Sequence, residues 1–133
     1  MFSVTQKVLF RHCDPAGIVF FPRYFEMMND LLEAFFDHIG FPFETLHQTS
    51  AVPTAQISCT FAAPSRHGDF LTIALTVSRI GHTSANLAFL ATCAGQTRFT
   101  AQSTIVQTDR TGKPFPWTDP MRIALTPYLG EPA

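Results

Sequence analysis

The chain has 133 residues, a single-domain length that can bury roughly two thirds of the surface its unfolded form exposes. Nine Lys and Arg against ten Asp and Glu give a net charge of −1, and charged residues make up only 14% of the chain, where about 25% is usual for a soluble domain. Two lysines and seven scattered arginines form no basic stripe, which argues against nucleic acid, and 14 Phe among so few charges leave more apolar surface than one small domain hides, so a subunit interface is expected.

The longest apolar run is broken by Asn29, Asp30, Glu33 and Asp37, short of the ~20 residues a membrane span needs. Met1 to Gln6 lacks the basic start and apolar core of a secretory leader. Cys13, Cys59 and Cys93 are an odd, widely spaced set with no Cys-x-x-Cys pair, which suits reduced thiols in a cytoplasm. No two histidines have ligand spacing with a carboxylate, so no metal is expected.

No repeat, low-complexity tract or charge run divides residues 1–133, so one domain is expected. Residues 2–10, with Phe2, Val4, Val8 and Phe10 apolar, form the first expected strand, followed by an irregular stretch from Arg11 to Phe21. Pro22 suits the first turn of a helix, and Met28, Leu31, Leu32, Phe35, Phe36 and Ile39 then recur at spacings of three and four until Gly40 and Pro42 end the pattern. This helix is apolar over a wide face, with Glu26, Asp30, Glu33 and Asp37 gathered elsewhere, so it belongs in a deep hydrophobic groove, and polar Asn29 and Asp30 should need partners there. Residues 54–61 alternate strictly: Thr54, Gln56, Ser58 and Thr60 on one face, Ala55, Ile57, Cys59 and Phe61 on the other. The same period returns at Leu71 to Val77, at Ala85 to Cys93 and at residues 97–107. Thr118 or Asp119 can cap a short last helix starting at Pro120 and ending before Pro127. The order predicts an α+β domain: one antiparallel sheet of about five strands wrapped around one long central helix, with open edges that a second copy would satisfy.

The chemistry concentrates in Cys13-Asp14-Pro15-Ala16-Gly17-Ile18-Val19-Phe20-Phe21-Pro22-Arg23-Tyr24, which puts a carboxylate in a loop directly ahead of a helix N-terminus. The first N–H groups of a helix lack intrahelical partners and sit at its positive end, so a carbonyl oxygen placed there is polarised. Asp14 can attack or activate water, Gly17 allows close backbone approach, and Phe20 and Phe21 can exclude solvent. The bland reading of Asp14 is a turn residue whose carboxylate caps nearby N–H groups.

At these residues the chain resembles the hotdog-fold thioesterases of the 4-hydroxybenzoyl-CoA thioesterase family, marked by Asp-Pro-Ala-Gly-Ile-Val followed by an aromatic residue, Pro and Tyr. Pro53-Thr54 with Ser58-Cys59, and Asp69 with Leu71-Thr72-Ile73, resemble later strands of that family. The resemblance implies a hotdog fold and hydrolysis of an acyl-CoA thioester. Asp14 would be the catalytic carboxylate, as nucleophile or general base, and the Phe21 N–H, with Gly17 nearby, would polarise the carbonyl. It further implies that Thr54 and the residues near Gly81 to Ser84 complete a site opened by the neighbour's Asp14. Tyr24 and Asn29 on the helix are candidate substrate contacts, with core packing the bland reading of Tyr24, and His82, Thr83 and Ser84, with Arg79, are the candidates for the coenzyme A phosphates in place of the family's basic cluster. The implied assembly is at least a dimer and commonly a tetramer, and no cofactor is needed beyond coenzyme A within the substrate.

Three departures stand out. The 4-hydroxybenzoyl branch carries an acidic residue near Asn29, a basic cluster where this chain has Gly81-His82-Thr83-Ser84, and small and acidic residues where it has Arg11 and His12. An aromatic, benzoyl-type acyl group is the expected substrate. A short or medium aliphatic acyl-CoA, a non-catalytic acyl-thioester binding module and a dehydratase on the same fold are the alternatives.

Overall fold

A computed structural model describes residues 1–131. Strand β1 (Phe2–Lys7) leads through a 3-10 turn at Phe10–His12 into helix α1 (Pro22–His38) and a short helix α2 (Phe43–Leu46). The remaining elements are β2 (Ser50–Ala51), β3 (Thr54–Phe61), β4 (Phe70–Ile80), β5 (Ser84–Cys93), β6 (Gln96–Val106), β7 (Thr108–Asp109), α3 (Asp119–Leu125) and a 3-10 turn at Thr126–Tyr128. Five strands make one antiparallel sheet in the order β1-β4-β5-β6-β3, while β2 and β7 pair separately.

Helix α1 starts where Pro22 can sit without a donor and runs 17 residues. It buries Tyr24, Met27, Met28, Leu31, Leu32, Phe35 and Phe36 against the alternating apolar side chains of β4, β5 and β6. Phe35 and Phe36 are fully buried. Truncating either to Ala would cost about 3–5 kcal/mol, a large share of the ~5–15 kcal/mol that holds a domain together, so the helix has one seat on the sheet.

Three sequence expectations change. The first strand stops at Lys7 rather than continuing to residue 10, because the Val8 N–H donates to Asp69 O (2.7 Å) and the chain then turns. Asn29 and Asp30 are exposed together with Glu26, Glu33 and Asp37: the sheet leaves that side of α1 open, so neither needs a buried partner. Thr54 changes face. A β-bulge lies between Thr54 and Gln56, so Thr54 stands opposite Ile105 while Ile57 stands opposite Ser103. The extra residue shifts the side-chain alternation by one and puts Thr54 on the helix side of the sheet.

Candidate active site

Residues 12–20 form a tight hairpin. The Phe20 N–H donates to His12 O (2.9 Å), the Asp14 N–H to Ile18 O (2.9 Å), and the Gly17 N–H back to Asp14 O (2.9 Å). Gly17 closes the turn at φ +81, a left-handed conformation that disfavours residues bearing a Cβ. The hairpin aligns half-buried Asp14 beside the strand that delivers Phe20 and Phe21 to the start of α1. One carboxylate oxygen, Asp14 Oδ1, accepts the Ala16 N–H (2.9 Å), so the capping role applies to one oxygen and leaves the other for chemistry.

At the helix start the donors are unequally engaged. Pro22 has no N–H, the Arg23 N–H donates to Phe20 O (2.8 Å) and the Tyr24 N–H to Phe21 O (3.1 Å). Among the described residues the Phe21 N–H donates to no protein acceptor, and it lies at the positive end of the helix. It is the donor that the family resemblance implies for a carbonyl oxygen.

The surroundings are aromatic. Phe21 packs edge-on against Phe20, Phe25 and Phe61, and Tyr24 lies over Phe61 and Phe99 with centroids 5.8 and 4.9 Å apart. Phe20, Phe21 and Phe61 remain about half exposed, so this wall faces outward at the β3 edge. Farther along α1, a groove of about 230 Å³ lies between helix and β3, lined by Phe25, Met28, Leu32, Ile57 and Phe89 with three polar groups, Asn29, Thr54 and Ser103.

The proposed coenzyme A contacts lie elsewhere. His82, Thr83 and Ser84 form the β4–β5 turn at the end of the sheet where Ser84 pairs with Val106 and Thr54 with Ile105, whereas Phe61 and Phe99 mark the Asp14 end. Their carbonyls are engaged internally: the Trp117 N–H and Nε1–H donate to His82 O (3.1 Å) and Ser84 O (2.9 Å), and the Gln107 N–H to Thr83 O (2.7 Å). Within one copy the turn is therefore remote from Asp14. No group of three or more His, Cys, Asp or Glu among the described residues is arranged to hold a metal ion, and no helix there is long and apolar enough to cross a membrane.

Sequence reasoning missed Ser65, Arg98 and Ser103. The signal for Ser103 was present: it is a hydroxyl set between Ala101 and Ile105 on the apolar face of β6. Arg98 is an isolated charge within a strand pattern, buried because the 62–69 connection folds around it, which a local pattern does not reveal.

His12 is buried beneath the hairpin, and its Nδ1 accepts the Leu9 N–H (2.9 Å). Burial, then the Arg11 and Arg23 charges, lower its pKa below 6.5, against the opposing pull of Glu26 and Asp30. A lowered histidine leaves the unfolded chain holding more protons as pH falls. Its contribution is thus complete above about 6.5, the unfolded value, and is lost as pH falls from there toward the folded value. Asp69 and Asp109, both lowered from 3.8, lose their contributions only below that value. The melting temperature is therefore expected to drop between pH 7.5 and 5.5, and to drop less in His12→Asn, whose amide oxygen can still accept the Leu9 N–H. Parallel melting curves of the two proteins would rule His12 out as the source.

Comparison with known proteins bears on the family and the fold. The family model described as the thioesterase-like superfamily matches residues 8–125. A 4-hydroxybenzoyl-CoA thioesterase from Pseudomonas sp. (strain CBS-3) is 33% identical over 75 residues, which is 53% of this chain and 53% of that protein, so the match spans about half the length of the curated relative. Among solved structures, a 1,4-dihydroxy-2-naphthoyl-CoA thioesterase from Synechocystis superposes with TM-score 0.87 at 22% identity, covering 94% of this chain and 95% of that one. A gentisyl-coenzyme A thioesterase gives TM-score 0.87 at 24% identity over 93% and 99% of the two chains. At these identities the superpositions speak for the fold. The five-stranded antiparallel sheet, the helix seated on it and the match over residues 8–125 together establish that the chain has the hotdog fold and belongs to the thioesterase-like superfamily.

Proposed function

We propose that this protein hydrolyses acyl-CoA thioesters carrying an aromatic, benzoyl-type acyl group. The observation that carries the proposal is the pairing of a half-anchored carboxylate, Asp14, with an unengaged helix-start donor, the Phe21 N–H, by one hairpin. The thioester oxygen sits on the Phe21 N–H, which stabilises the negative charge that develops when the carbonyl carbon is attacked. A single donor of this kind contributes about 10²–10³ in rate. Asp14 serves in one of two ways. As nucleophile it forms a mixed anhydride as the C–S bond breaks and thiolate leaves, and water then cleaves the anhydride. As general base it takes a proton from water, which attacks the carbonyl, and the proton passes to the departing thiolate. Either route consumes one water, releases the acid and coenzyme A, and calls for no cofactor.

The acyl group is assigned to the groove between α1 and β3, where Phe25 and Phe89 suit a flat ring and Asn29, Thr54 and Ser103 offer hydrogen bonds to a substituent. Relatives and fold neighbours named for 4-hydroxybenzoyl-CoA, gentisyl-CoA and dihydroxynaphthoyl-CoA support an aromatic substrate. Because His82, Thr83 and Ser84 lie far from Asp14 in one copy, the reading assigns them to a second copy's site, in a homo-oligomer that is at least a dimer. The three free thiols suit a reducing cytoplasm.

The test is thiol release from a panel of benzoyl-, 4-hydroxybenzoyl- and hexanoyl-CoA. The aromatic esters are expected to give the higher kcat/KM, and preference for hexanoyl-CoA would move the assignment to aliphatic substrates. Tight acyl-CoA binding with no turnover would identify a binding module. Asn29→Ala is expected to lower the 4-hydroxybenzoyl to benzoyl ratio by about 2–10-fold, the worth of one hydrogen bond. Equal losses on both esters would make Asn29 structural.

A further inference from the structure

Arg98 departs from the surrounding sheet because it is a charged side chain that is only 9% exposed. Its Nη1 donates to three acceptors: Asp69 Oδ2 (2.7 Å), Pro64 O (3.1 Å) and Ser65 Oγ (3.2 Å). Its own carbonyl accepts the Ala62 N–H (2.8 Å) and the Ala63 N–H (3.3 Å), and Asp69 Oδ2 also accepts the Arg66 N–H (2.9 Å). The 62–69 connection is thus tied to Arg98 by both its backbone carbonyl and its guanidinium. Among the described residues its Nε is buried without a partner. A half-buried ion pair, its arginine buried with one donor unsatisfied, contributes little net stability compared with apolar packing, so its presence points to fixing a geometry.

That geometry reaches the site through Ser65, which is fully buried. Ser65 O accepts the Val19 N–H (2.8 Å), and Ile18 and Arg66 form a bridge, so the connection carries the return strand of the Asp14 hairpin. Tyr24, in the first turn of α1, faces Ser65 and packs on Phe99, the residue after Arg98. The buried serine therefore holds the loop that carries the carboxylate, while the residue after Arg98 packs on the first turn of the helix whose start holds the Phe21 N–H.

We propose that Arg98 is a positioning residue: with Asp69 it clamps Ser65, and Ser65 sets the placement of Asp14 relative to the Phe21 N–H. This rests on the reading of Asp14 as the catalytic carboxylate. Misplacement by about 1 Å can lower a rate by about 10²-fold, so the clamp should act on kcat rather than on substrate affinity.

The test measures kcat and KM for Arg98→Gln, Arg98→Lys and Asp69→Asn, with Asp14→Asn and the Asp14→Asn/Arg98→Gln pair alongside, well below each variant's melting temperature. Arg98→Gln is expected to lower kcat about 10–100-fold with KM nearly unchanged, Arg98→Lys to restore part of it, and Asp69→Asn to reproduce a smaller loss. The double variant should be no slower than Asp14→Asn alone, since both act through one carboxylate. A folded Arg98→Gln with the parent's kcat overturns the proposal, as does a loss confined to KM. Should Arg98→Gln not fold, a folded Asp69→Asn with the parent's kcat overturns it equally. Turnover surviving in Asp14→Asn instead overturns the catalytic reading itself, whatever Arg98 does, and the clamp proposal falls with it.

Discussion

Asp14→Asn is expected to reduce thiol release by about 10³-fold or more, the scale of losing a positioned base or nucleophile, while acyl-CoA still binds within a few-fold of the parent. The substitution keeps shape and removes charge. The amide oxygen of Asn can still accept the Ala16 N–H that Asp14 Oδ1 accepts, and the hairpin bonds from Asp14 N–H to Ile18 O and from Gly17 N–H to Asp14 O involve backbone alone. The loop should therefore survive, with stability changed by no more than about 0.5 kcal/mol. Thiol release with a benzoyl-CoA substrate, beside calorimetric binding to the variant, separates chemistry from recognition. Unchanged hydrolysis would remove Asp14 from the mechanism and leave its carboxylate as a turn cap. Single turnover in ¹⁸O water bears on the two roles: unlabelled acid with the label in Asp14 identifies a nucleophile whose anhydride is cleaved at the Asp14 carbonyl, whereas a general base places solvent oxygen in the acid at once and leaves Asp14 unlabelled.

The sheet and helix were legible in the sequence because both are repeating patterns. Met28, Leu31, Leu32, Phe35 and Phe36 mark one face of α1 at helical spacing, and that face is the buried one. Strands β3 to β6 alternate over 8 to 11 residues, long enough for period two to be unambiguous. The two-residue β2 and β7 and the four-residue α2 are too short to show a period, and non-local contacts define them. Alternation alone puts Thr54 on the wrong face for a related reason: a bulge is one extra residue whose presence is decided by pairing with β6. The Asp14 hairpin was readable because its parts are adjacent in sequence. Ser65 and Arg98 reach it from 46 or more residues away, through the carbonyl that accepts the Val19 N–H and a charge that Asp69 meets.

The free side of β3 should pair with a second copy, and Cys59→Pro is expected to yield a folded monomer with activity reduced about 10²-fold or more, the effect of losing elements that position a reacting group. The Ala62 N–H donates to Arg98 O, and the register runs unbroken from Phe61 opposite Phe99 back to Gln56 opposite Thr104. In an antiparallel ladder inward bonding alternates, so Ser58 and Thr60 bond toward β6 while Ile57, Cys59 and Phe61 turn their N–H groups outward. Ile57 and Phe61 are 40% and 46% exposed and continue into Phe21 at 54%, so the strip is both unpaired and apolar. Burial pushes the Cys59 thiol up to about 11, so the residue is neutral and proline removes no charge. What it removes is an outward N–H, which an edge strand tolerates without losing its own ladder. Antiparallel pairing of β3 with its copy would set the Asp14 end of one subunit beside the Thr54 and Ser84 end of the other, bringing together groups that one chain holds at opposite ends. Light scattering of parent and variant, with thiol release from each, checks both consequences. A parent that is monomeric at full activity would show that one copy completes its own site.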